Sequence, residues 1–174
     1  MIFQTYYLGR KGVDLLSDIE FGQTIMAPFY LINKTIMKRN ATAVWNGTGK
    51  DGKGTLTTQS ETLKDTQYSF KSRFEEGVGT NPEELVAAAH AGCFSMKLSF
   101  NISAENITPE EITTKAIVDL NPEKGEIVGI HLEVKVKADG LSKEKFDELV
   151  ADAKANCPIS QLLNTTITIE AELV

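Results

Sequence analysis

The 174-residue chain is poor in cysteine, histidine and tryptophan, with two, two and one of them. Two cysteines cannot build the disulfide lattice of a small secreted domain, and a chain of this length needs none, so the expected compartment is the cytoplasm. No Cys-x-x-Cys or other short-spaced ligand pair occurs, and neither a bound metal nor a thioredoxin-like motif is expected. Basic residues are also scarce: 18 Lys and Arg face 24 Asp and Glu, a net charge of -6. Affinity for nucleic acid comes mainly from clustered cations, so nucleic acid is excluded as a partner. Long apolar runs are missing too. The patch Thr24 to Ile32 is broken by Pro28 and falls far short of the roughly 20 residues that span a bilayer. No membrane association is expected, and Asp14, Asp18 and Glu20 interrupt any secretory signal.

What is present suits one soluble core. A hydrophobic content of 41% in 174 residues supports one principal domain. Residues 1–36 read as an extension of unknown role. Met37-Lys38-Arg39-Asn40 looks like a natural start leading into a strand, so an upstream-extended start accounts for what precedes it. The domain proper is residues 37–174.

From Ala41 onward, Thr42 to Trp45, Gly54 to Gln59 and Gln67 to Phe74 are short, rich in Thr, Val and aromatics, and separated by Gly and Asp clusters. That pattern predicts an antiparallel meander. Alternation in the third segment sets Tyr68, Phe70 and Phe74 on one face and Arg73 on the polar one. Asn81-Pro82-Glu83-Glu84 then opens a helix: Asn81 caps, Pro82 fits the first position and Glu84 completes a capping box. The helix is predicted to reach about Asn101, apolar on most sides and therefore central and buried. Its run Ala87-Ala88-Ala89-His90-Ala91-Gly92 is small enough for another element to approach closely.

Two alternating strands follow, Ile112 to Leu120 and Ile127 to Lys137, the second with Ile130, Leu132, Val134 and Val136 inward. Ser142 caps a second helix, with Leu141 and Phe146 at staple spacing. That helix stops near Asn156, because Pro158 blocks its continuation and opens a short third one. Thr165 to Leu173 forms the last strand. The class is α+β, with strands gathered at both ends of the chain around a buried central helix.

A widely separated cysteine pair in an ordinary soluble chain suggests a redox couple. The reactive form of cysteine is the thiolate, so a thiol of ordinary pKa, about 8.5, needs a cation, a helix N-terminus or a base. Cys157, just before Pro158 at a helix start, meets that requirement better than Cys93, which lies about three turns inside its helix. If Cys93 is the nucleophile, a cation must come from elsewhere, and Arg73 is the nearest sensible candidate. Either cysteine alone is equally well read as a buried packing residue. His90, three residues before Cys93, is better read as a packed helix histidine than as a base, and His131 as a solvated strand residue. Trp45, Tyr68, Phe70, Phe74, Phe94 and Met96 suit an apolar pocket or the core equally.

Three motifs occur in order: Gly79-Thr80-Asn81-Pro82-Glu83-Glu84-Leu85, Ala88-Ala89-His90-Ala91-Gly92-Cys93-Phe94-Ser95-Met96 and Cys157-Pro158-Ile159-Ser160-Gln161. Together they closely resemble the osmotically inducible protein C (OsmC) family and its relatives, the organic hydroperoxide resistance proteins. The resemblance runs from about Met37 to Val174. It implies an intertwined homodimer and a thiol peroxidase of oxidative or osmotic stress defence, preferring organic hydroperoxides and reducing hydrogen peroxide more weakly. By the same resemblance Cys93 is the peroxidatic cysteine, Cys157 the resolving cysteine, Arg73 the activating arginine and Glu83 its carboxylate partner. No cofactor is bound; an external dithiol or a lipoylated protein is the implied reductant. The rival reading is a non-catalytic, stress-associated binding protein of the same fold with structural cysteines.

Helix geometry adds one constraint. Glu83 and Cys93 lie ten residues apart on one helix, about 15 Å along its axis. They cannot meet in one chain, and a two-fold dimer with antiparallel central helices would bring Glu83 of one protomer beside Cys93 of the other.

Overall fold

The computed structural model describes residues 36–174, and one compact unit spans Arg39–Val174. The extension at 1–36 and its apolar patch lie outside the described residues, save Ile36.

The chain opens with β1 (Ala41–Asn46), β2 (Lys53–Thr58) and β3 (Thr66–Ser69), an antiparallel meander in that order. In its register Trp45 faces Gly54, which faces Tyr68. The two rings close over the glycine with centroids 5.2 Å apart. A Cβ at Gly54 would come within 2.3 Å of the Tyr68 ring, so this aromatic pair requires glycine between its members.

The third strand is shorter than the alternation predicts. Ser72 donates its backbone N–H to Ser69 Oγ (3.1 Å), and Ser69 returns its own N–H to Ser72 Oγ (2.9 Å). This reciprocal cap starts a short helix, α1 (Phe70–Phe74), where a continued strand was expected. Arg73 therefore projects from a helical turn rather than the polar side of a strand. Phe70 and Phe74, four residues apart, pack with ring centroids 4.8 Å apart and planes tilted by 41°.

The link to the next helix is fixed by main-chain contacts. Gly79, at φ +112°, lies where a Cβ would meet the Gln67 carbonyl oxygen at 2.1 Å. Thr80 then donates its N–H to that same carbonyl (2.9 Å).

The central helix, α2 (Pro82–Ala104), is capped as its sequence predicts: Asn81 Oδ1 accepts the Glu84 N–H at 2.8 Å. The Glu84 carboxylate, however, accepts the Thr80 hydroxyl (3.0 Å) instead of closing a capping box. The helix runs three residues beyond the expected Asn101. One face, carrying His90, Phe94, Leu98, Asn101 and Ile102, is buried. The opposite face, with Ala88, Ala89, Gly92, Met96 and Phe100, is exposed in the single chain. The burial on most sides that the sequence predicts is thus realised on one side only in the single chain.

The second sheet holds β4 (Glu111–Asn121), β5 (Glu126–Lys137) and β6 (Thr166–Leu173) in the order β4-β5-β6. β4 and β5 are antiparallel, while β5 and β6 are parallel, so the chain must cross over between them. α3 (Lys143–Asn156) and α4 (Pro158–Leu162) make that crossover. Ile130, Leu132, Val134 and Val136 point inward as their alternation requires, and Leu141 and Phe146 are both buried in the core. Among the described residues the core is built from α2, the second sheet and α3; the first sheet adds nothing to it. The architecture is α+β, with strands at both ends of the domain around the central helix. No helix among the described residues is long and apolar enough to cross a membrane.

Candidate active site

Two clusters carry the chemistry-bearing side chains. The first joins α2 to the α3–α4 corner. Pro158 has no N–H to extend α3, so Cys157 turns extended (φ -70°, ψ 121°), ending α3 and starting α4. That corner directs Cys157 inward, where it is fully buried. Its sulfur lies 2.9 Å from that of the half-buried Cys93, and both are free thiols sharing a hydrogen bond.

The two sulfurs have different surroundings. Burial pushes the Cys93 thiol above its ordinary pKa, and its hydrogen bond with Cys157 adds to the rise; the Ile159 N–H only partly opposes them. Burial also pushes Cys157 upward. There its hydrogen bond with Cys93, the backbone N–H and hydroxyl of Ser160 and the Ile159 N–H together outweigh it, and its pKa falls. Within one chain, then, Cys157 carries negative charge more readily. This agrees with its position at a helix start and leaves Cys93 unactivated within the chain.

His90, one turn before Cys93, does not engage that sulfur. It is fully buried, and its Nε2 lies 2.8 Å from Ser160 Oγ. Nδ1 has no partner, and burial holds the imidazole below its ordinary pKa. Ser160 belongs to the Cys157 motif, but spacing alone assigns it no role. The available signal is its position three residues after Cys157, on the same side of a helical turn. His131 hydrogen-bonds Thr168 on the second sheet through Nδ1 (2.7 Å).

The second cluster pairs Arg73 with Glu83. Arg73 Nε donates to both carboxylate oxygens (3.1 and 3.2 Å), and Nη2 donates to Oε1 (2.7 Å). α1 is placed for this contact by its own caps: Ser72 Oγ donates to the Thr80 carbonyl (2.9 Å), and Asn81 Nδ2 donates to the Ser72 carbonyl (3.1 Å). The pair borders a cleft of about 450 Å³ lined also by Phe74, Val118 and Leu120. Of the other apolar candidates, Phe94 is core and Met96 is exposed.

The four sequence-predicted residues thus fall into two pairs. The structure brings Cys93 to Cys157 and Arg73 to Glu83. It leaves the pairs about 15 Å apart along α2, as the helix rise requires. Among the described residues no cluster of three or more His, Cys, Asp or Glu side chains could hold a metal.

The family model described as OsmC-like protein matches residues 75–172. The chain is 43% identical over 141 residues to the peroxiredoxin OsmC of Escherichia coli strain K12, covering 80% of this chain and 98% of that protein. It is 30% identical over 129 residues to the organic hydroperoxide resistance protein OhrB of Bacillus subtilis, covering 72% and 93% of the two chains. The crystal structure of that OhrB superposes with a TM-score of 0.55 at 27% identity, over 78% of this chain and 98% of the other. An OsmC-like protein from Mycoplasma pneumoniae shares the fold with a TM-score of 0.64 at 18% identity, over 80% and 99% of the two chains.

Proposed function

The chain belongs to the OsmC-like family, and from that membership we propose that it is a thiol-dependent peroxidase reducing organic hydroperoxides, and hydrogen peroxide more weakly, in oxidative or osmotic stress defence. The observation that carries the reading is the 2.9 Å contact between Cys93 and Cys157, two thiols from distant parts of the chain.

Cys93 acts as the peroxidatic residue. Its thiolate attacks the distal peroxide oxygen, the O–O bond breaks, and the alkoxide takes a proton and leaves as alcohol. The sulfenic acid on Cys93 then meets Cys157, whose sulfur lies 2.9 Å from that of Cys93 in the reduced chain. An S–S bond forms, the S–O bond breaks, and the hydroxyl leaves with a proton as water. No cofactor takes part; an external dithiol or lipoylated protein restores both thiols.

The arrangement operates as a homodimer. Cys93 has its thiol raised by burial and needs a cation, while Arg73 is held at the far end of α2. Antiparallel packing of two α2 helices through Ala88, Ala89, Gly92 and Met96 would bring Arg73 and Glu83 of one protomer to Cys93 of the other. Arginine remains charged at any relevant pH, and a guanidinium oriented by Glu83 retains an N–H for the thiolate or the peroxide.

Counting thiols tests the reading. One equivalent of cumene hydroperoxide should remove two free thiols per chain and leave one intramolecular disulfide. Retention of both thiols would instead identify a binding protein in which the cysteines only pack. Comparing initial rates for tert-butyl hydroperoxide and hydrogen peroxide then measures the substrate preference.

A further inference from the structure

His90 is the fully buried ionisable side chain that the peroxidase chemistry leaves without a task. Its Nε2 sits 2.8 Å from Ser160 Oγ, and Nδ1 has no partner. That asymmetry sets the tautomer. A buried N–H without an acceptor is rarer and costlier than an unused lone pair, so the proton belongs on Nε2 and Nδ1 is the bare nitrogen. His90 then donates to Ser160 Oγ. With that oxygen accepting from the imidazole, the Ser160 hydroxyl proton is left to point elsewhere, and Cys157, three residues earlier at the start of the same helical turn, is placed to receive it, in keeping with the part Ser160 plays in holding the Cys157 thiol below its ordinary pKa.

We propose that His90 and Ser160 form a one-directional hydrogen-bond chain, Nε2–H to Oγ–H to Sγ, that orients and polarises Cys157 for its attack on the Cys93 sulfenic acid. Ser160 touches the reacting sulfur and is the catalytic member; His90 acts through it and is a positioning residue. The inference rests on the peroxidase reading above and concerns only its second step. There the Cys157 sulfur supplies the electron pair of the new S–S bond, and the S–O electrons of Cys93 leave with the hydroxyl. The oxidant is the hydroperoxide already consumed.

The size of the effect follows from thiol chemistry. Losing a hydrogen bond to a charged sulfur lowers its thiolate fraction by about tenfold to a hundredfold. The greater intrinsic nucleophilicity of a more basic thiolate returns about half of that on a logarithmic scale. Disulfide formation should therefore slow by about threefold to tenfold.

The test mixes the reduced full-length protein with excess cumene hydroperoxide and follows two phases, peroxide loss and disulfide formation. Ser160→Ala should lower the ratio of the second rate constant to the first by about threefold to tenfold, with Cys93 sulfenic acid accumulating and trapped by dimedone. Ser160→Thr, which keeps the hydroxyl, should restore the ratio. His90→Leu should lower it and His90→Gln, which keeps an N–H donor, should raise it again. An unchanged ratio in both Ser160→Ala and His90→Leu, or a loss that the conservative variants do not repair, overturns the chain. If the wild-type protein consumes no peroxide, the peroxidase reading itself has failed, and that outcome is distinct. Nitrogen-15 shifts of His90 in the unsubstituted protein need no variant to fold: a neutral imidazole protonated on Nε2 is expected, and protonation on Nδ1 rejects the proposal.

Discussion

Arg73 meets Glu83 through Nε and Nη2 together, a geometry that a lysine ammonium cannot reproduce. Arg73→Lys should therefore retain part of the charge effect on Cys93 oxidation and lose the orientation, whereas Arg73→Ala should lose both. Removing a preoriented donor from a site of developing charge typically costs about a hundredfold in rate, and that is the loss expected for Arg73→Ala with an organic hydroperoxide. Stability should change by less than about 1 kcal/mol, because the ion pair is partly open to solvent. Stopped-flow kinetics alongside urea unfolding separates the two quantities; a stability loss matching the rate loss would make Arg73 a structural residue. His90 carries a different prediction. Burial lowers its pKa, so the unfolded chain binds a proton near pH 6.5 while the folded chain does not. Stability should fall as pH drops below that value, a penalty absent from His90→Gln. Thermal melts between pH 7.5 and 5 should show the wild type losing more than the variant, and parallel curves would refute a buried neutral imidazole.

At the scale of elements, the signals that were legible were those whose cause is local. Asn81-Pro82 marks the start of α2, Ser142 the start of α3, Pro158 the break between α3 and α4, and strict alternation marks β5 and β6, because caps, a missing N–H and a two-residue period act within a few residues. The end of β3 is where two local signals conflict. Tyr68, Phe70 and Phe74 alternate like a strand, and the competing Ser69-x-x-Ser72 cap outweighs that pattern. The two pairs of the site, Cys93 with Cys157 and Arg73 with Glu83, were legible through the family motifs and not through local patterning, because Arg73 reaches Glu83 from α1, a helix the alternation conceals. The contact of His90 with Ser160 spans 70 residues, and no local pattern announces it. Ser72 is thus the hinge between fold and site: it caps α1 and donates to Thr80 beside α2. Ser72→Ala should cost about 1–2 kcal/mol in urea unfolding. It should also lower peroxide turnover, by letting Arg73 drift from Glu83. Full activity in a destabilised Ser72→Ala would separate α1 from the site.

At the scale of the whole molecule, the first sheet is the anomaly. Its strands contribute nothing to the core among the described residues, Val44 and Trp45 remain partly exposed, and Met96 and Phe100 on α2 are open to solvent. A meander and a helix face left without apolar cover are surfaces of the kind that mark protein–protein contacts. In the proposed dimer the same association covers those surfaces and supplies Cys93 with its cation, so folding and catalysis depend on one contact. Complementation distinguishes that arrangement from a site contained in one chain. Cys93→Ser lacks the attacking sulfur and is inactive, and Arg73→Ala lacks the guanidinium and keeps about a hundredth of the wild-type rate. If the site is shared, unfolding and refolding the two variants together makes mixed dimers in which Cys93 from the Arg73→Ala chain faces Arg73 from the Cys93→Ser chain. Random pairing of equal amounts yields half mixed dimers with one intact site in two, so activity should return to about a quarter of the wild-type value. If each protomer carried a complete site, every chain in the mixture would still hold one defect and no activity would return.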